Sequence, residues 1–110
     1  MSTMTDCIHD CFNCAEACQQ CLIAMLRDAS DSIGTHDSVC PACCTECADF
    51  CTLCARVMAA DGNFAPEICN LCADVCDWCA EQCGEHDHDH CQKCAESCRA
   101  CAEACRAMAA

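Results

Sequence analysis

The chain has 110 residues, with 18 Asp and Glu against 5 Lys and Arg and a formal charge of −13 at pH 7. The length predicts one domain over residues 1–110, and the charge leaves no basic stripe for nucleic acid or for an anionic membrane surface. Cysteine supplies 21 residues, far above the ~8–10% that already marks an unusual short chain, and no apolar run reaches the ~18 residues of a membrane span.

The cysteines define the elements. In a first predicted helix over 5–28, Cys7, Cys11, Cys14, Cys18 and Cys21 are separated by 4, 3, 4 and 3 positions. That alternation is the seam of a helix packed on other helices. The small, polar segment 29–37 (ASDSIGTHD) breaks it, and Asp37 or Ser38 is placed to cap a second helix over 38–60 with Pro41 in its first turn. Cys40, Cys44, Cys47, Cys51 and Cys54 keep the rhythm there, with Cys43 added. Asp61-Gly62-Asn63 ends that helix, and Pro66 lies in the first turn of a third over 64–83, which carries Cys69, Cys72, Cys76, Cys79 and Cys83. Gly84 ends the third, and Asp87 is expected to cap a fourth over 87–108 with Cys91, Cys94, Cys98, Cys101 and Cys105.

At ~100° per residue each cysteine set occupies an arc of roughly 80–100°. Short connections make sequential helices antiparallel neighbours. The expected fold is therefore all-α: an antiparallel up-down-up-down four-helix bundle with a Cys-lined core. An internal repeat runs through it: CFNCAEAC at 11–18, CTECADFC at 44–51, CNLCADVC at 69–76 and CQKCAESC at 91–98. Its Ala permits close helix approach, and its acid is expected to face solvent.

Disulfides explain this pattern poorly, because the count is odd and the cysteines hold helical register. Nor does core packing explain it, because Leu gains more than Cys on burial, at ~0.8 kcal/mol per buried CH₂. Metal binding is the remaining demand, and thiolates select Cu(I), Zn(II) or iron–sulfur clusters. A tetrathiolate Zn(II) site keeps two negative charges, whereas Cu(I) at one ion per thiolate keeps none, so only Cu(I) fills the core without accumulating charge. Residues at i,i+3 and i,i+4 have Cβ atoms ~5–6 Å apart, close enough for CxxC and CxxxC pairs each to hold a two-coordinate ion. A ferredoxin-type run of C-x₂-C-x₂-C-x₃-C-P is absent. An iron–sulfur electron carrier and a zinc or general metal-sequestering protein remain the alternatives. CPAC at 40–43 looks like a redox CxxC but lacks the βαβ setting. No His lies inside a Cys seam to act as a base, so no enzyme is expected.

The segments CFNCAEACQQC, NLCADVCDWCAEQC and HDHDHCQKCAESCRACAEACRAM resemble the bacterial copper storage proteins, in particular their cytosolic branch. The resemblance covers essentially the whole chain. It implies a four-helix bundle whose Cys side chains point inward and load many Cu(I) ions, a homotetramer of bundles, and cytoplasmic storage. Helix 2 departs from the family in being richer in Cys, which leaves the roles of Cys43 and Cys44 open.

Metal must enter at an end. In an antiparallel bundle Met25, His36, His86, His88 and His90 gather at one end, where His86 and His90 are candidate transfer ligands and His36 and His88 read as solvated turn residues. Met4, Met58 and Met108 continue the seams at the other end, which is expected to be closed. Ile8, Phe12, Ile23 and Leu26 on helix 1, and Leu71, Val75 and Trp78 on helix 3, point away from the thiols and are expected to meet other subunits. The N-terminal MSTMTDCIHDC has neither a basic nor an apolar targeting stretch, so a cytoplasmic protein is expected.

Overall fold

Residues 4–29 and 39–109 are described by a computed structural model, with side chains described over 4–27 and 41–109. His36 and the expected caps Asp37 and Ser38 lie outside the described residues, as does the side chain of Cys40. Four helices follow in order: α1 (Met4–Ala29), α2 (Val39–Ala59), α3 (Ala65–Gly84) and α4 (Asp89–Ala109). Each packs on the next in the chain, and α4 closes the ring on α1. The result is a rod of 45 × 21 × 17 Å, the antiparallel four-helix bundle that the short connections require. No described helix is long and apolar enough to cross a membrane.

Helix ends follow local chemistry. Asp6 in the first turn of α1 and Arg27 in its last oppose the helix dipole, as do Asp89 and Arg106 in α4. The α2–α3 turn is a Schellman motif: the Gly62 amide donates to the Val57 carbonyl at 2.9 Å and the Asp61 amide to the Met58 carbonyl at 3.0 Å. Asp61 occupies the left-handed position at φ 51°, a conformation that Asp tolerates better than most residues. A Cβ on Gly62 would sit 2.8 Å from Val57 Cγ1, so the turn admits only glycine there without displacement. Pro66 falls in the first turn of α3 as expected, with no side-chain cap.

The start of α4 differs from expectation. The amides of Cys91 and Gln92 both donate to the His88 carbonyl at 3.0 Å, which makes His88 the N-cap in place of Asp87. Asp87 stands one residue too early to serve the first free amides. The turn is instead tied by the Gln92 side-chain amide, which donates to the carbonyls of His86 at 2.6 Å and Gly84 at 3.2 Å. Farther down, Arg106 of α4 bridges Asp74 at 3.3 Å and Asp77 at 2.5 Å on α3. All three groups are exposed, so this tie fixes geometry more than it adds stability.

Sulfur makes the core. The buried side chains are Cys, Ala and two methionines, Met25 and Met58, and no charged or polar residue is buried among the described residues. Ala48, Ala55, Ala73, Ala80, Ala95, Ala102 and Ala104 line the helix contacts, where a methyl group keeps the backbones close enough for thiols to meet. The acids of the repeat, Glu16, Asp49, Asp74 and Glu96, are all exposed.

The outer apolar residues divide. Phe12, Ile23 and Leu26 are exposed on α1, and Leu71 on α3. Ile8, Val75 and Trp78 are half-buried and pack on the core, so their large side chains fold back over the helix seams rather than standing free. Leu53, and Phe64 beside the end that Met58 plugs, are exposed at 46% and 72%. Met58 plugs its end at 1% exposure, whereas Met4 is 40% exposed and no plug; the first turn of α1 carries it past the end of the thiol seam.

Candidate metal centre

All twenty cysteines whose side chains are described lie outside any disulfide and are buried. Cys69 is 2% exposed and the others 0%. Both Cys43 and Cys44 belong to this interior: Cys83 Sγ lies 4.0 Å from the first and 3.6 Å from the second. Two consecutive cysteines reach the core because 100° of helical rotation separates them, about the width of the thiol arc.

The sulfurs form one connected column. At the α1 N-terminal end Cys105 lies 3.9 Å from Cys7 and 3.7 Å from Cys11, and Cys54 lies 3.7 Å from Cys69. At mid-height Cys47 is a hub, 3.8 Å from Cys14, 3.9 Å from Cys51, 3.6 Å from Cys76 and 3.8 Å from Cys98. Above it Cys94 meets Cys18 at 3.6 Å, Cys44 at 3.8 Å and Cys83 at 3.7 Å. With Cys44–Cys83 at 3.6 Å, this upper group is a triangle of thiols. Three sulfurs about 2.3 Å from one ion stand about 4.0 Å apart, so the triangle is close to the size a three-coordinate soft ion needs.

The column ends in a mixed site. His90 Nδ1 is 3.3 Å from Cys21 Sγ and 3.5 Å from Cys91 Sγ, with the two sulfurs 3.9 Å apart. A cavity of about 280 Å³, lined by Ala17, Gln20, Cys21, Asp89, His90 and Lys93, borders it from the α1–α4 seam. The sequence singled out His90 but not this lateral cavity, whose wall residues Gln20 and Lys93 carry no spacing signal. His88 is exposed and stacks on His90 with ring centroids 5.3 Å apart. His86 is half-buried in the same turn, and Met25 is buried at 2% exposure.

Sulfur–sulfur hydrogen bonding sorts the thiols into two kinds. Cys14, followed by Cys44, holds Cys18 down at about 7. Cys47, Cys72, Cys94 and Cys105 are also pushed below the ordinary thiol range, chiefly by hydrogen bonds with Cys14, Cys101, Cys18 and Cys101 respectively. Several of their neighbours move the other way. Cys101 raises Cys11 and Cys51, Cys14 raises Cys98, and the hydrogen bond to Cys105 lifts Cys7 to about 12. Thiols whose charged form the column favours thus lie beside thiols that hold their protons, so protons leave the interior unevenly along its length. A thiol pushed down in this way is a landing point for a soft cation, which takes the place of its proton.

Comparison with known proteins agrees with this chemistry. The family model described as copper storage protein matches residues 1–110. The chain belongs to the copper storage protein family. It is 48% identical over 104 residues to the cysteine-rich protein YhjQ of Bacillus subtilis strain 168, covering 94% of each. The Cu(I)-bound copper storage protein BsCsp3 superposes with a TM-score of 0.88 at 48% identity, covering 94% of this chain and 95% of that one. A cytosolic copper storage protein from Streptomyces lividans, loaded with five coppers, superposes with a TM-score of 0.79 at 33% identity over 96% and 91% of the two chains. As a copper storage protein the chain needs a large, dry array of soft ligands, and the thiol column is such an array.

Proposed function

We propose that the whole chain works as one storage unit that holds many Cu(I) ions on the thiolates of its core and buffers copper in the cytoplasm. The observation that carries this reading is the column of twenty buried thiols, in contact at 3.5–4.0 Å and with no buried charge of either kind among the described residues. Monovalent copper takes the place of one proton per thiol, so the interior fills and stays neutral. The ligands are the thiols on all four helices, Cys40 included, with His90 and His86 as transfer ligands at the mouth. The chain is a carrier of copper rather than an enzyme, as the absence, among the described residues, of any base beside a mid-column thiol supports. The exposed Phe12, Ile23, Leu26 and Leu71 support a homo-oligomer, a tetramer by resemblance to the family. The cytosolic Streptomyces lividans relative supports the cytoplasmic location.

Anaerobic titration of the reduced apo-protein with Cu(I), followed by thiolate-to-copper absorption, tests the reading. Saturation is expected near one ion per thiol, about 20 per chain. An end point at a handful of ions overturns it. The mouth has its own check: a His86→Ala, His90→Ala double variant is expected to load several-fold more slowly and reach nearly the same capacity. An unchanged stopped-flow loading rate removes both histidines from the entry route.

A further inference from the structure

Three groups of four thiols share no sulfur with one another: Cys11/Cys54/Cys72/Cys105, Cys14/Cys47/Cys51/Cys76 and Cys21/Cys44/Cys83/Cys94. Within each group all sulfurs lie within 4.8 Å of one another. The first and third take one thiol from every helix, so one ion in either would join α1, α2, α3 and α4.

Four sulfurs arranged tetrahedrally about 2.3 Å from Zn(II) stand about 3.8 Å apart. In the middle group Cys14–Cys47 is 3.8 Å, Cys47–Cys51 3.9 Å, Cys47–Cys76 3.6 Å and Cys51–Cys76 3.5 Å. In the upper group Cys44–Cys83, Cys44–Cys94 and Cys83–Cys94 are 3.6, 3.8 and 3.7 Å. In the lower group Cys11–Cys105 is 3.7 Å. The other pairs lie within 4.8 Å, so a contraction of at most about 1 Å brings each group to a tetrahedral tetrathiolate.

We propose that, when copper is scarce, the bundle takes up a small number of Zn(II) ions in these preformed tetrathiol groups as a second, displaceable cargo. The inference goes beyond the copper reading and does not depend on it. Charge sets the limit. Every Zn(II) on four thiolates leaves a net 2−, and no buried cation among the described residues offsets it. Filling the column with zinc is therefore excluded, while a few well-separated ions are tolerated.

The same charge makes the cargo displaceable. Four Cu(I) on the four thiolates of a zinc site bring that site from 2− to neutral as Zn²⁺ leaves. Four Zn–S bonds break, Cu–S bonds replace them, and no electron or proton is transferred. Zinc thus occupies a share of the thiols without blocking copper.

The test uses the reduced, metal-free full chain under anaerobic conditions. Titration with Zn(II), read by metal analysis after desalting, is expected to saturate at about three ions per chain. Co(II), used as a visible substitute, is expected to give the intense absorption of tetrahedral thiolate coordination. A Cys54→Ser, Cys72→Ser double variant of unchanged helicity is expected to lose about one Zn(II). Cu(I) added to the zinc-loaded protein is expected to release all of the zinc to a chromophoric indicator. The proposal is overturned by failure to retain zinc at micromolar concentration, by a stoichiometry unchanged in the double variant, or by weak octahedral Co(II) spectra, which would place the ion on surface carboxylates. Cu(I) capacity measured on the same preparation separates loss of this inference from loss of the copper reading.

Discussion

Loading the reduced protein with Cu(I) is expected to raise its Tm by more than about 30 °C. The apo core explains why there is so much room for a rise. A fully buried Leu, Ile or Phe contributes about 1.5–3 kcal/mol, and among the described residues the fully buried large side chains are only Met25 and Met58. Thiols and alanines supply the rest, so the metal-free bundle rests on modest packing and on S–H···S contacts. Copper then binds the folded state far more tightly than the unfolded chain, whose local CxxC pairs offer two sulfurs each and no third from a facing helix. One site filled at a thousand times its Kd adds about 4 kcal/mol. Four independent sites would add about 16 kcal/mol, more than the whole stability of an ordinary domain. At about 4–8 °C per kcal/mol for a domain near this size, the shift reaches tens of degrees. Circular dichroism melts of apo and loaded protein, and of loaded protein after a strong Cu(I) chelator, measure it. A shift below about 5 °C would mean that copper sits on the outside, cross-linking nothing.

The four helices were legible because each of their seams is written in one residue type. Cys7 to Cys21, or Cys91 to Cys105, leave no second reading of the period, and the breaks at Asp61-Gly62 and Gly84 are punctuated by residues whose backbone needs are specific. The entry to α4 was less legible. HDHDH offers two acids and three histidines as caps, and the choice of His88 depends on how Gln92 folds back onto the α3 terminus. The outer surface was read too simply. Trp78 and Val75 lie off the thiol arc on a helical wheel, yet they are large enough to bend over the seam and bury part of their area.

In the site itself, the sequence told which face each cysteine shares but not its height relative to cysteines on other helices. A repeat copied four times allows several axial registers with the same inward face. Nothing in CTECADFC marks Cys47 as the residue that meets Cys14, Cys76 and Cys98 together. Register comes from the lengths of the turns, above all the tight Schellman link that fixes α2 against α3. The contact of His90 with Cys21 and Cys91 was partly legible, since His90 stands four residues before Cys94 and so on the same face. Its partner on α1 depended on register, and only the folded bundle supplies that.

The second large effect concerns chemical access to the sulfurs. In the native apo-protein a bulky aromatic disulfide reagent is expected to modify the mid-column thiols at least about a thousand-fold more slowly than in denaturant. Cys47, Cys51, Cys76 and Cys98 are 0% exposed, and no side-chain rotation can bring them to solvent past the buried alanines beside them. Reaction must wait for opening. With an opening free energy near 5 kcal/mol, the low end for a domain, the open fraction is only about one in several thousand. Acidity does not change the outcome: Cys47 and Cys94 are pushed below the ordinary thiol range, yet they stand where no reagent reaches. The helix ends open more easily than the middle. Cys91 in the first turns of α4 and Cys7 in those of α1 are therefore expected to react first, followed by a slow cooperative phase for the rest. A time course of released chromophore, with mass spectrometry of partly modified protein, resolves the two. Uniform reaction of every cysteine at the denatured rate would place the thiols at the surface and remove the interior column on which both metal readings stand.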